Sequence, residues 1–228
     1  KSTMQQILNG DVLHIIPIPN GVVAAVLNEV TGNGKMAVEY RLISLENGEV
    51  QRVSSSIYSL SKFGPGHKNI ELQLDDHLNC RCCTVADGGQ FIIEFGGICK
   101  LLDAEGYSKW KGPIAFNGES PCDAAFDGKF LWLCYPEQNT VVRYRPDGMV
   151  QNLRIGGKSA TNSFRGPCGL YFNGGLLFVC NNNANSVWQI NTGTFGSSEL
   201  YEFGEPVFQY AKVLEKEVVR LESGLYIL

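Results

Sequence analysis

Turn dipeptides punctuate this chain again and again between apolar segments, and that repeat narrows the possible folds more than any other feature. Asn20-Gly21 lies in IIPIPNGVVAAVL, Asp87-Gly88 in CCTVADGGQFIIEF, Asp127-Gly128 in PCDAAFDGKFLWLC and Asn173-Gly174 in PCGLYFNGGLLFVC. Asn-Gly and Asp-Gly between apolar runs specify tight type I′ hairpins, because both central residues must adopt positive φ. A degenerate fifth copy, YAKVLEKEVVRL, places Glu215-Lys216 at the turn. A second turn glycine follows each of the first four hairpins, at Gly48, Gly106, Gly148 and Gly193. Two landmarks that advance together along the chain mark a structural repeat.

Each repeat reads as four strands. In the third copy they are Cys122–Phe126, Lys129–Tyr135, Thr140–Arg145 and Met149–Ile155. Four strands in roughly 40–50 residues is the signature of a propeller blade. One blade cannot bury both of its faces, so blades are expected to stack in a ring. The last copy ends at its third strand, Leu225–Leu228, while the N-terminus carries an orphan strand, Met4–Leu8. That orphan is expected to complete the final blade and close the ring. The chain is thus read as one all-β domain over 1–228, a β-propeller of five four-stranded antiparallel blades, with six as the alternative count. A rival reading makes the tail a helix, because Tyr210, Val213, Leu214, Val218 and Leu221 recur at helical spacing.

Composition agrees with a globular all-β chain. Hydrophobic residues are 44% and charged residues 18%, enough for a core, and 26 glycines supply many turns. Net charge is −4 and no Lys/Arg run occurs, which argues against nucleic-acid binding. The longest uncharged apolar stretch, 14–28, is broken by Pro17, Pro19 and Asn20-Gly21, so no membrane helix is expected. No signal peptide is visible and the chain begins with Lys1. A cytoplasmic monomer is expected, with secretion left open.

The eight cysteines follow the repeat. Cys82, Cys122 and Cys168 precede the turn glycine by the same interval, and Cys134 and Cys180 follow it by the same interval. With two-residue turns, Cys122 would face Leu133 and Cys168 would face Val179, so no disulfide forms within a hairpin. Buried free thiols in a reducing compartment are the expectation. Cys80, Cys82 and Cys83 are clustered but lack the second Cys/His pair that a zinc site needs.

SPCDAAFDGKFLWLCYPEQNTVVRYRPDG (120–148) and FRGPCGLYFNGGLLFVCNNNANSVWQIN (164–191) resemble NHL-type repeats: a Pro, an apolar strand, a D/N-G turn, a second strand, an Asn-rich loop and a third strand. The pattern is also similar to the blades of streptogramin lyases and gluconolactonase-type propellers. It implies a blade type rather than a chemistry, since such propellers include enzymes, binding modules and scaffolds.

In a propeller of this kind, the loops between strands two and three share one face with the connections between blades. The opposite face is expected to carry only tight turns. A ligand pocket is therefore expected on the loop face, with His77, Trp110, Glu119, Arg165, Asn183 and Glu205 as lining groups. Several positions also have a structural reading: a solvated His77, an Arg165 paired with a loop carboxylate, Asn181–Asn183 capping turns, and Trp132 and Trp188 in strands as packing between blades. Gly156-Gly157-Lys158-Ser159 imitates the end of a phosphate-binding loop, but Asn152 stands where that motif needs Gly and no helix pattern follows. The leading expectation is a non-catalytic scaffold that binds a protein or small ligand and holds no cofactor. One alternative is a metal-dependent lactonase, hydrolase or lyase, with Glu119, Asn183 and Glu205 around a divalent cation and His77 as base. The other is a sugar-binding lectin, which would need matching pockets in every blade.

Overall fold

The computed structural model describes residues 4–30, 35–53, 80–158 and 164–228. Among the described residues, twenty strands make five four-stranded antiparallel sheets, the blade composition of a five-bladed β-propeller. A short strand β1 (Gln5–Asn9) precedes the first blade, formed by β2 (Val12–Ile18), β3 (Gly21–Val30), β4 (Lys35–Ser44) and β5 (Val50–Val53). The second is β6 (Cys80–Ala86), β7 (Gly89–Glu94), β8 (Ile98–Leu102) and β9 (Ser108–Pro113). The third is β10 (Asp123–Phe126), β11 (Leu131–Tyr135), β12 (Thr140–Arg145) and β13 (Val150–Gly156). The fourth is β14 (Pro167–Asn173), β15 (Leu176–Asn181), β16 (Ser186–Asn191) and β17 (Ser197–Glu202). The fifth contains β18 (Val207–Val213), β19 (Lys216–Leu221) and β20 (Gly224–Ile227), and β1 completes it alongside β20. The orphan N-terminal strand thus does what its position implied, and the tail is strand, not helix. No helix among the described residues is long and apolar enough to cross a membrane.

The chain divides into two compact units. One, Lys1–Leu74 with Val207–Leu228, holds the first and fifth blades; the other, Asp75–Pro206, holds the second, third and fourth. Within each blade, burial follows hydropathy. β11 is buried at every position, whereas the fourth strands β13 and β17 contain only exposed and half-buried residues. A second strand flanked by sheets on both faces needs a continuous apolar run, which LWLCY supplies. In the second unit, one core joins Phe91, Ile93 and Leu101 to Leu131, Leu133 and Tyr144, and another joins Trp132 and Val141 to Val179 and Ile190. Trp132 and Trp188 pack in the latter, between the third and fourth blades, as expected.

The turns depart from the sequence expectation in register. Asp87-Gly88 is a two-residue turn with both φ positive (49° and 79°). In the first blade the turn is Pro19-Asn20, and Gly21 already belongs to β3. Glycine is required there for packing and not for a turn, since a Cβ on Gly21 would collide with the Ile43 carbonyl oxygen of β4. The fourth blade turns at Gly174-Gly175 and the fifth at Leu214-Glu215. In the third blade the turn spans four residues, because Asp127 Oδ1 accepts from the amides of Lys129 (2.9 Å) and Phe130 (2.7 Å). Leu133 therefore opposes Ala124 rather than Cys122. Cys168 sits in a bulge between the Pro167–Asn181 and Gly169–Cys180 pairs, and Val179 opposes Leu170. Seven cysteines among the described residues carry thiols and form no disulfide, and Cys82, Cys83, Cys99, Cys134 and Cys180 are buried.

Neighbouring first strands are joined by side chains at one repeat position, the residue opposite the penultimate residue of the second strand. Asp123 accepts from the Cys82 thiol (Sγ–Oδ1 3.0 Å) in the preceding blade and from the Leu170 amide (N–Oδ2 2.8 Å) in the following one. In the first unit Gln209 takes the same role: its Oε1 accepts from the Ile15 amide (2.8 Å) and its Nε2 donates to the Ile15 carbonyl (3.3 Å). These two side chains hold the register between adjacent blades, a task that packing of smooth apolar faces does not perform.

Candidate functional site

In the second unit the loop face forms as expected, and polar side chains fix it. Asn139 ends the β11–β12 loop in the left-handed region (φ 50°); its carbonyl accepts from Gly157 N and its Oδ1 from Gly166 N (3.1 Å). Asn185 is the counterpart one blade on (φ 52°), its carbonyl accepting from Phe203 N (2.7 Å). Asn181 Oδ1 accepts from Arg165 N (3.0 Å). The Asn-rich loops are therefore backbone clamps, and asparagine suits them because it tolerates positive φ and offers an acceptor.

The predicted lining residues separate. Glu119 is committed to structure: its two oxygens accept from Glu137 N (3.0 Å) and Gln138 N (3.2 Å), tying the connection after the second blade to the β11–β12 loop. Trp110 lies in β9, where its ring packs against the core between the second and third blades. β9 runs on to Pro113, so Trp110 stands within a strand and not in the connection between blades. Arg165 and Asn183 do come together, the Asn183 amide donating to the Arg165 carbonyl (3.2 Å), and both side chains are exposed. Glu205 is half-buried in the connection after β17. His77 lies outside the described residues. Phe95, 63% exposed in the β7–β8 loop, is the most prominent apolar group on this face and was not among the candidates.

A polar cleft of about 280 Å³ opens on the same face beside the third blade. Phe116, Asn117, Gln138, Thr140, Arg154, Gly156, Gly157 and Lys158 line it. Sequence reasoning met three of its residues, Gly156, Gly157 and Lys158, and set them aside because no phosphate-loop glycine or helix accompanies them, while Arg154 reads as a solvated residue of an outer strand and Asn117 as an ordinary turn residue.

The opposite face is not blank, contrary to expectation. Arg143 lies over the Phe130 ring (4.0 Å to the centroid) and near Phe195 (5.2 Å) and Trp132 (5.6 Å), with its Nε donating to Asn152 Oδ1 (3.0 Å). This stack joins the long turn of the third blade to the fourth and satisfies the guanidinium internally.

The buried thiols are poor nucleophiles. Burial, and after it the Asp123 carboxylate, holds the Cys82 thiol well above its ordinary value; burial does the same for Cys134, and Cys99 is pushed up to about 12. Since thiolate is the reactive form, these cysteines are expected to resist a thiol reagent at pH 8 in the folded protein and to react on denaturation. A pKa raised by folding favours the folded state only while the thiol stays protonated in both states. Stability is therefore expected to be fully present below about pH 9, the ordinary thiol value, and to fall as pH rises towards 12. Chemical denaturation from pH 8 to 11 reads this directly.

No protein-family model matches the chain, and no curated protein matches it. Solved structures do. The chain is similar to the WD40 repeats of RRP9, with TM-score 0.51 and 16% identity over 62% of this chain and 44% of that one. It is similar to U3-55K, with TM-score 0.52 and 15% identity over 66% and 51%. The computationally designed Ika4 protein matches with TM-score 0.51 and 9% identity over 65% and 89%. The chain thus spans less than half the length of the RRP9 chain. These likenesses show a β-propeller fold and, at such identities, nothing finer.

Proposed function

We propose that this chain is a non-catalytic interaction scaffold that engages a protein partner through the loop face of the second, third and fourth blades. The observation that carries this reading is the division of labour on that face. Glu119, Asn139 and Asn181 are bound to backbone amides and hold the loops, while Phe95, Arg165 and Asn183 project from them. An exposed aromatic ring and an arginine on a rigid frame supply the residue types that dominate protein interfaces. The resemblance of 120–191 to NHL-type repeats fits this reading. The cation-centred alternative is weakened because both Glu119 oxygens already accept hydrogen bonds.

Quantitative capture from an extract of the source cell tests it. Phe95→Ala combined with Arg165→Glu is expected to remove the partners bound by the unmodified chain, with at least a tenfold loss of recovery. Glu105→Lys, in a tight turn of the opposite face, is expected to leave recovery unchanged. Equal capture by all three proteins would overturn the proposal.

A further inference from the structure

We infer that the cleft beside the third blade is a binding site for a single oxyanion, a carboxylate or phosphate group. Two cations border it, Arg154 near the end of β13 and Lys158 just beyond, and no acidic side chain is among its lining residues. The chain as a whole carries net charge −4, so this local excess of positive charge runs against the general character of the molecule. Two like charges facing one small cavity repel, and an anion between them relieves that repulsion.

The rest of the lining suits the same ligand. Asn117, Gln138 and Thr140 bring amide and hydroxyl groups. Between the cations stand Gly156 (φ 89°) and Gly157 (φ 138°), so no side chain rises from the backbone to fill the floor. The walls are fixed before any ligand arrives. Phe116 and Glu119 exchange two backbone hydrogen bonds (2.9 and 3.0 Å), the Gln138 amide donates to Glu119, Thr140 Oγ1 donates to the Gln138 carbonyl (2.7 Å), and Gly157 N donates to the Asn139 carbonyl (2.9 Å). These bonds use up the hydrogens of the Gln138 and Gly157 backbone amides and of the Thr140 hydroxyl, so the groups left to meet an anion are the two cations and the remaining side-chain amide hydrogens of Asn117, whose Nδ2 also donates to Gln138 Oε1 (3.4 Å), and of Gln138, on walls that need little ordering. At about 280 Å³ the cavity takes one oxyanion with a few waters, not a large ligand. Neither Phe95 nor Arg165 lines this cleft, and its test needs no protein partner.

Titration of the isotope-labelled full chain with inorganic phosphate, and separately with acetate, followed by amide chemical shifts, is the direct experiment. Saturable shifts are expected at Asn117, Gln138, Gly156 and Gly157, with a Kd on the order of 1 mM for the better anion. The anion that saturates first identifies the source, phosphate or carboxylate. Arg154→Ala with Lys158→Ala is expected to weaken binding at least tenfold, while Lys111→Ala on an outer strand leaves it unchanged. Asn117→Asp is expected to weaken it similarly: aspartate tolerates the positive φ at this position (47°) and puts a like charge in the cleft. Shifts that never saturate with either anion, or equal binding by every variant, would overturn the inference.

Discussion

Deleting residues 1–9 is expected to destroy the cooperative melt of the fifth blade and to drive the protein into aggregates. β1 pairs with β20 through Gln5–Ile227, Gln6–Tyr226, Leu8–Leu225 and Asn9–Gly224, and Gly10 N donates to the Ser223 carbonyl (3.2 Å). Backbone hydrogen bonds contribute about 0.5–1.5 kcal/mol each, so the loss is roughly 2–5 kcal/mol, a large part of a typical domain's stability. The strand is mostly exposed, so little of this comes from apolar burial. Its removal also leaves β20 with a row of unpaired amides and carbonyls, a template for pairing with another copy. Calorimetry and size-exclusion chromatography read the two effects, and adding a peptide of residues 4–9 in trans is expected to reverse both. A subtler variant, Gly224→Ala, tests the same contact, because a Cβ there would meet the Leu8 carbonyl oxygen and would need a φ of 147°. A truncated chain with an unchanged melt and elution volume would show that β1 contributes nothing to closing this blade.

That strand was legible because the repeat leaves it no other role: a last blade one strand short and an unpaired apolar segment at the opposite end of the sequence. Blade number and strand order followed from turn glycines for the same reason, since a two-residue hairpin constrains both φ values. What the repeat could not carry is register. Asn20-Gly21 and Asp87-Gly88 look alike as dipeptides, yet Gly21 is a strand residue selected by the Ile43 carbonyl oxygen, and Gly88 is a true turn residue. Asp127 lengthened its turn through side-chain bonds that nothing in the spacing announces. The candidate site fared less well. Glu119 was correctly placed on the loop face but assigned to a ligand, because a sequence shows a carboxylate without showing which amides it meets. Asp123 and Gln209 were overlooked altogether. A lone polar residue in a first strand gains meaning only when the neighbouring blade stands beside it.

Replacing Asp123 tests that last point. Asp123→Ala is expected to lower stability by about 3 kcal/mol, because it orphans the half-buried Leu170 amide and removes the acceptor of the buried Cys82 thiol. Asp123→Asn keeps the shape and one acceptor, so it can serve only one of the two donors; a loss of roughly half that size is expected. The pair is chosen to separate hydrogen bonding from volume. Were Asp123 merely filling space, the isosteric asparagine would be nearly neutral and only alanine would destabilise. A double-mutant cycle with Cys82→Ala then isolates the thiol contact: a coupling of about 1 kcal/mol is expected, since the Leu170 bond is lost in either background. The Cys82 thiol reports the same change independently. Its pKa is raised first by burial and second by the Asp123 carboxylate, so Asp123→Asn is expected to lower it while leaving it above the ordinary value. Denaturant unfolding gives the stabilities, and the rate of Cys82 modification against pH gives the titration. Gln209→Ala is the matching experiment in the other unit, where Arg220 also donates to the Gln209 oxygen (2.8 Å) and to the Val12 carbonyl (3.2 Å). If Asp123→Asn proves as stable as the unmodified chain, the register between these blades is held by apolar packing alone and the polar link between first strands is incidental.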